Sequence, residues 1–149
     1  MGEVMSSQKV IEDLRSVLAD SYSLFLKTQN YHWNVTGPNF QALHSMFERQ
    51  YNDLFTAIDV IAERIRALGE KAPGSYSSFT KITNIKEGNI NNNATTMVKE
   101  LAEDQEVIVN TLNKTLKSAQ TVGDEVTADI MISRIEAHQK NAWMLNSSL

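Results

Sequence analysis

Lys71-Ala72-Pro73-Gly74-Ser75-Tyr76-Ser77-Ser78-Phe79-Thr80-Lys81-Ile82 and its continuation Thr83-Asn84-Ile85-Lys86-Glu87-Gly88-Asn89-Ile90-Asn91-Asn92-Asn93 separate two long helical patterns. Pro73, Gly74, the Ser/Tyr cluster, Gly88 and the Asn run are loop chemistry, but the stretch is too long for a tight turn between neighbouring helices. It is expected to cross the bundle. Within it, Phe79 and Ile82 are three residues apart and could pack as one small apolar face, which predicts a short helix from Ser77 to Ile82.

On either side the apolar residues recur at helical spacing. From Ser7 to about Trp33, Ile11, Leu14, Leu18 and Phe25 form a stripe flanked by Val10, Val17 and Leu24. Thr36-Gly37-Pro38 breaks this first helix, and Pro38 is expected in the first turn of the second, where its missing N–H costs nothing. The second helix runs to Leu68 and is stopped by Gly69. A third covers about Ala94 to Ala119, with Met97, Leu101, Ile108 and Leu112 on one stripe. Gly123-Asp124 ends it and recaps the chain, and the last helix runs from about Glu125 to Leu145 with Val126, Ile130 and Ile135 on its apolar face. Four long helices with one long connection between the second and third predict an all-α fold, a four-helix bundle of the ferritin-like type rather than a simple up-and-down bundle.

The 149 residues suffice for one domain, 1–149, with a sizeable core. With 42% hydrophobic and 21% charged residues and only two Pro, the balance fits a soluble helical globule. No apolar run approaches the roughly 20 residues of a membrane span, and Met1 to Ser7 lacks the pattern of a secretory signal. A cytoplasmic location is the expectation. Zero Cys excludes disulfides, thiolate metal sites and cysteine nucleophiles, so any metal is held by N and O ligands. A net charge of -4 argues against electrostatic binding to DNA or anionic lipid.

Ligand-type residues concentrate in the first two helices: His32, His44, Glu48, Asp59 and Glu63. Counted at about 100° per residue from His44, the core candidates Leu43, Phe47, Leu54, Ile58, Ile61, Ile65 and Leu68 fall between about -40° and -120°. His44, Glu48, Asp59 and Glu63 fall at about 0°, 40°, 60° and 100°, on an adjoining face shared with Tyr51, Phe55 and Ala62. A face mixing ligand groups with aromatics reads as an interface. His44 with Glu48, and Asp59 with Glu63, are i,i+4 pairs that meet over one turn. Taken singly, each is ordinary helix-surface decoration. The pair centres lie about 15 residues apart, roughly 22 Å at about 1.5 Å per residue, so one chain cannot close both around one ion. The numbering is symmetric about the helix midpoint, however. Two copies crossing antiparallel there would set His44 beside the partner's Glu63 and Glu48 beside the partner's Asp59, making two equivalent sites. His32 could add a nitrogen. Two His with several carboxylates suit ferrous iron, with zinc or manganese as rivals. His138 has no comparable partner set and reads as structural, and the Met residues read as packing.

Asn30-Tyr31-His32-Trp33-Asn34-Val35-Thr36-Gly37-Pro38-Asn39-Phe40, then Leu43-His44 and Asp59-Val60-Ile61-Ala62-Glu63-Arg64-Ile65, resemble the signature of the Dps family, the mini-ferritins. The resemblance extends to Gly123-Asp124-Glu125-Val126-Thr127-Ala128-Asp129 and Trp143. No Glu-x-x-His, the motif of ferritins with a di-iron site inside one bundle, occurs in the chain. The resemblance implies a hollow dodecamer in which ferrous iron binds at two-fold interfaces, is oxidised mainly by hydrogen peroxide and is stored as ferric oxyhydroxide. It implies His32, His44 and Glu48 from one subunit with Asp59 and Glu63 from its mate. Trp33 resembles the family's tryptophan beside the iron and could quench a stray oxidising equivalent, or serve only as a packing aromatic. Acidic residues at the start of the last helix would line an iron-access pore, which nominates Asp124 and Asp129; Asp124 equally fits a helix cap.

The sequence departs from the family at Glu48, where Asp is usual, and the extra methylene puts occupancy of the second iron position in question. Members that coat DNA have Lys-rich tails, but Met1 to Ser7 has no Lys or Arg and Asn146 to Leu149 has no charged side chain. Weak or no DNA affinity is expected. The alternatives to a ferroxidase are a non-catalytic metal-binding or structural oligomer and a DNA-compacting protein.

Overall fold

The computed structural model describes residues 2–149, with side chains from residue 7 onward; the features read from Met1 to Ser7 lie almost wholly outside the described side chains. Five helices follow one another: α1 Gly2–Asn34, α2 Phe40–Ala67, α3 Tyr76–Ile82, α4 Ala94–Thr121 and α5 Glu125–Asn146. Among the described residues there is no strand, and no helix is long and apolar enough to cross a membrane. The expected helices are all present, with α1 and α4 extending further than their apolar stripes.

Pro38 is a correction. It lies in a tight turn ahead of α2, closed by the Phe40 N–H donating to the Gly37 carbonyl at 3.1 Å, and Asn39 precedes the helix without a side-chain cap, its carbonyl accepting from the Leu43 N–H at 3.0 Å. Gly37 enters that turn at φ +113°, and Pro38 follows as the next turn residue, a position its fixed φ suits. At the other end of α2, Gly69 stops the helix as expected, at φ +105°. Ser75, Asn93 and Asp124 cap α3, α4 and α5, each accepting the N–H three residues on.

Pairing along α1 and α4 fixes their direction. Asp13 meets Ser118, Asp20 meets Thr111, Lys27 meets Asp104 and Tyr31 meets Glu100, so one index rises as the other falls and the two helices are antiparallel. The end of α2 lies near the start of α1, where Gln8 reaches Glu70, whereas the start of α4 lies near the end of α1. The connection from α2 to α4 therefore travels the length of the bundle, as its composition predicts. It is pinned on the way. Asp20, fully buried, accepts from the Thr83 hydroxyl at 2.8 Å, the Asn84 backbone N–H at 2.6 Å, the Asn84 amide at 3.3 Å and Thr111 at 2.7 Å. Further on, the Tyr31 hydroxyl donates to Glu100 at 2.5 Å and accepts from the Asn89 N–H and the Asn92 amide, both at 3.1 Å. Gly88 passes so close that a Cβ would lie 2.9 Å from the Tyr31 ring.

The core is the apolar stripe of each helix: Leu14, Leu18 and Leu24 from α1, Phe47, Leu54, Ile61 and Ile65 from α2, Met97, Leu101 and Ile108 from α4, Met131 and Leu145 from α5. Two cationic groups are set in its flanks. Lys27, nearly buried, pairs with Asp104 at 2.8 Å and Glu100 at 3.4 Å. Arg134 of α5 pairs with Asp53 of α2 at 2.8 Å and donates to His138 Nε2 at 3.2 Å. Arginine can only donate, so Nε2 must carry the lone pair and Nδ1–H must donate to Gln105 of α4, 2.8 Å away. His138 is thus a satisfied core histidine, as its sequence context suggests.

Two outcomes test this framework. Asp20→Ala leaves four donors without their acceptor and is expected to cost at least about 2 kcal/mol, read from the chemical denaturation midpoint. Burial, reinforced by repulsion from Arg134, pushes His138 down from 6.5 to about 3. A depressed histidine favours the neutral form, so its contribution is complete above the unfolded value and declines as pH falls from about 6.5 toward 3, by about 1.4 kcal/mol per pH unit. Denaturation of wild type and His138→Gln between pH 5 and 7 is expected to show a shallower acid loss in the variant.

Candidate metal centre

The tight turn between α1 and α2 makes a helical hairpin, and His32 and His44 stand equidistant from Pro38 on its two arms. The hairpin brings them face to face. Their rings stack with centroids 3.7 Å apart and planes within 14°. Each ring is locked by the other's backbone: His32 Nδ1 lies 2.7 Å from the His44 carbonyl, and His44 Nδ1 lies 2.7 Å from the His32 carbonyl. A carbonyl only accepts, so both Nδ1 atoms carry hydrogen and both Nε2 atoms are left to present lone pairs to a metal. His32 is nearly buried and His44 half-buried. Phe40 stacks on the far side of His44 at 5.0 Å, and Tyr51 meets His32 edge-on at 5.2 Å.

The carboxylates are arranged differently. Glu48, Asp59 and Glu63 are all exposed along α2. Glu48 is one turn from His44, but Asp59 and Glu63 lie about 22 and 28 Å along the axis from it. Among the described residues, no three His, Asp or Glu side chains converge as a metal cage within the chain. The structure therefore joins His32 to His44 and leaves Glu48, one turn along, with Asp59 and Glu63 as separate exposed carboxylates on α2. Around them the α2 face is apolar as well as acidic, with Phe55 and Val60 exposed.

Trp33, although adjacent to His32 in sequence, sits about 100° further round α1. It is 60% exposed and lines a groove with Leu26, Tyr76, Lys86 and Ile90. The two acidic residues nominated on α5 also differ. Asp129 is exposed, whereas the Asp124 carboxylate accepts from the Thr127 N–H at 3.0 Å and hydroxyl at 2.6 Å and from Arg64 at 2.9 Å. Burial alone would raise the Asp124 pKa; the Thr127 hydrogen bonds and the Arg64 charge outweigh it and hold the carboxyl below its usual range. Asp124 is the cap of α5.

Sequence reasoning found the ligand-type residues but not the reciprocal imidazole–carbonyl bonds. The equal spacing of His32 and His44 from a Gly-Pro turn was the available signal.

The ferritin-like domain family matches residues 11–149. The chain is 38% identical over 143 residues to DNA protection during starvation protein 2 of Bacillus anthracis, covering 96% of this chain and 98% of that one. The crystal structure of Dps from Thermosynechococcus elongatus superposes with a TM-score of 0.95 at 26% identity, covering 99% of this chain and 94% of that one. Dps from Vibrio cholerae, described as a member of a broad superfamily of ferritin-like diiron-carboxylate proteins, superposes with a TM-score of 0.92 at 33% identity, covering 96% of this chain and 90% of that one. A crossover bundle with paired histidines at its hairpin and carboxylates spread along α2 thus stands among close relatives, and the chain belongs to the Dps family of ferritin-like proteins.

Proposed function

We propose that the protein stores and detoxifies iron, oxidising Fe(II) with hydrogen peroxide at sites shared between two-fold-related subunits and keeping ferric oxyhydroxide inside a hollow oligomer, a dodecamer. The observation that carries this is the histidine stack: two imidazoles with Nδ1 tied to backbone and Nε2 available, on the edge of a helix whose remaining carboxylates they cannot reach. An antiparallel copy of α2 supplies what is missing. His32, His44 and Glu48 of one subunit then face Asp59 and Glu63 of its mate.

Lone pairs lie in the ring planes, and these planes are nearly parallel with centroids 3.7 Å apart. One ion cannot sit in both, so each histidine serves its own iron. Anionic oxygens stabilise Fe(III) over Fe(II) and favour oxidation. Two neighbouring ferrous ions then each give one electron to peroxide, whose O–O bond breaks to yield two waters after uptake of two protons. Hydroxyl radical is avoided. Glu48 beside His44 would hold the second iron, with the extra methylene lengthening its reach, and Asp129 is the exposed carboxylate for iron access. Zinc, which takes the same N and O donors but has no redox chemistry, would compete and inhibit.

Ferric absorbance after adding Fe(II) and peroxide tests the reading. Wild type is expected to oxidise iron rapidly, and His44→Ala and Glu63→Ala are each expected to lose most of the rate while the oligomer size is kept; a slow wild type would favour a non-catalytic metal-binding oligomer. With Lys and Arg totalling 14 against 18 Asp and Glu, plasmid DNA should stay unshifted in a gel at moderate salt.

A further inference from the structure

We propose that the interior of the bundle binds a water molecule between the Gln50 carboxamide of α2 and the Arg134 Nε–H of α5. Gln50 is only 5% exposed, and among the described residues neither its Oε1 nor its Nε2 has a hydrogen-bond partner. Arg134, 9% exposed, places its Nη2 on Asp53 and His138, while its Nε is likewise without a partner. Buried polar atoms are almost always hydrogen-bonded, to protein or to ordered water, so three such atoms on two facing helices call for a shared partner.

Helix register brings the three atoms together. Arg64 meets Asp124 and Asp53 meets Arg134, so α2 and α5 run antiparallel. Gln50 lies three residues back from Asp53, about 4.5 Å along α2, and His138 lies four residues on from Arg134, about 6 Å along α5 in the same direction. The Gln50 level therefore falls on the turn of α5 that carries Arg134 and His138, and its i,i+3 spacing from Asp53 keeps it on the side of α2 that meets this turn.

The donor count selects the ligand. Gln50 offers N–H groups and a carbonyl oxygen, and Arg134 Nε offers one N–H. The ligand must accept from both nitrogens and donate to the oxygen, which water does with three of its four bonding directions, the usual number for a buried water. A deprotonated anion has no hydrogen for Oε1, a metal ion would face N–H groups, and the Arg134 charge is already balanced by Asp53. A direct bond from Arg134 Nε–H to Oε1 would leave the amide hydrogens unpaired. Nor can the neighbouring imidazole serve, since both His138 nitrogens are taken by Arg134 and Gln105. Water at this point returns the Asp53–Arg134–His138–Gln105 chain to α2 and closes it into a ring across three helices.

The test is a crystal structure of the assembled protein at a resolution that shows ordered waters, for wild type and for Gln50→Leu, which removes the amide with little change in size. Wild type is expected to show a density peak at hydrogen-bond distance, about 2.7–3.2 Å, from the Gln50 amide and from Arg134 Nε, and Gln50→Leu to lose it. Oxygen-17 relaxation dispersion on the same two proteins is expected to read the loss of one long-lived water per subunit. Circular dichroism and oligomer size check that the variant folds, and the wild-type density decides by itself if it does not. Wild type with no density between the two side chains, a direct Gln50–Arg134 hydrogen bond in its place, or a peak that persists in Gln50→Leu would overturn the proposal. None of these readouts involves iron, so their outcome is separate from that of the ferroxidase reading.

Discussion

A buried carboxylate satisfied by neutral donors organises this molecule. Asp20 sits fully inside the bundle and is satisfied by hydroxyl and amide donors from the crossover and from α4. An unpaired carboxylate in that position would be prohibitive; with its lone pairs occupied it becomes a clamp that tolerates no other path for the chain. The crossover must run along α1 at that height. α4 consequently starts at the end of the bundle where α2 also starts, and the two run in the same direction. α2 is left with one face against the bundle and another along which Glu48, Asp59 and Glu63 are exposed.

The α1–α2 hairpin then does what a flexible pair of side chains could not. A turn of a few residues holds the two arms in one register, and the two imidazoles lock each other through backbone carbonyls that neither arm can move without unwinding helix. Donor direction is set by the backbone, which lowers the ordering cost for any ion the pair would bind. The carboxylates carry no such restraint. Exposed on one side of α2, they can adjust to an ion's preferred distances. Rigid nitrogen at the hairpin and adaptable oxygen along α2 are thus two different kinds of donor on one pair of helices.

Two further polar networks serve cohesion between helices. Lys27 with Asp104 and Glu100 joins α1 to α4, and Asp53, Arg134, His138 and Gln105 form a chain joining α2, α5 and α4. Buried charges of this kind add little net stability, but each fixes which turn of one helix faces which turn of the next. Arg64 ties α2 to the first turn of α5 in the same way, and the Asp124 carboxylate is thereby used within the chain.

Helices, their stops and the crossing connection were legible in the amino-acid order, because apolar period, caps and the length of a loop are local properties. So were the ligand-type residues, since chemistry and i,i+4 spacing travel with the sequence. The displacement of Pro38 from α2 was not legible, because a Gly-Pro pair serves a turn and a helix start equally and only the path of the chain selects between them. Nor were the partners of Asp20, the stacking of His32 on His44, or the groove that Trp33 lines. Each is a matter of which surfaces meet across elements distant in sequence, and adjacency along a helix, turning about 100° per residue, says little about adjacency in space.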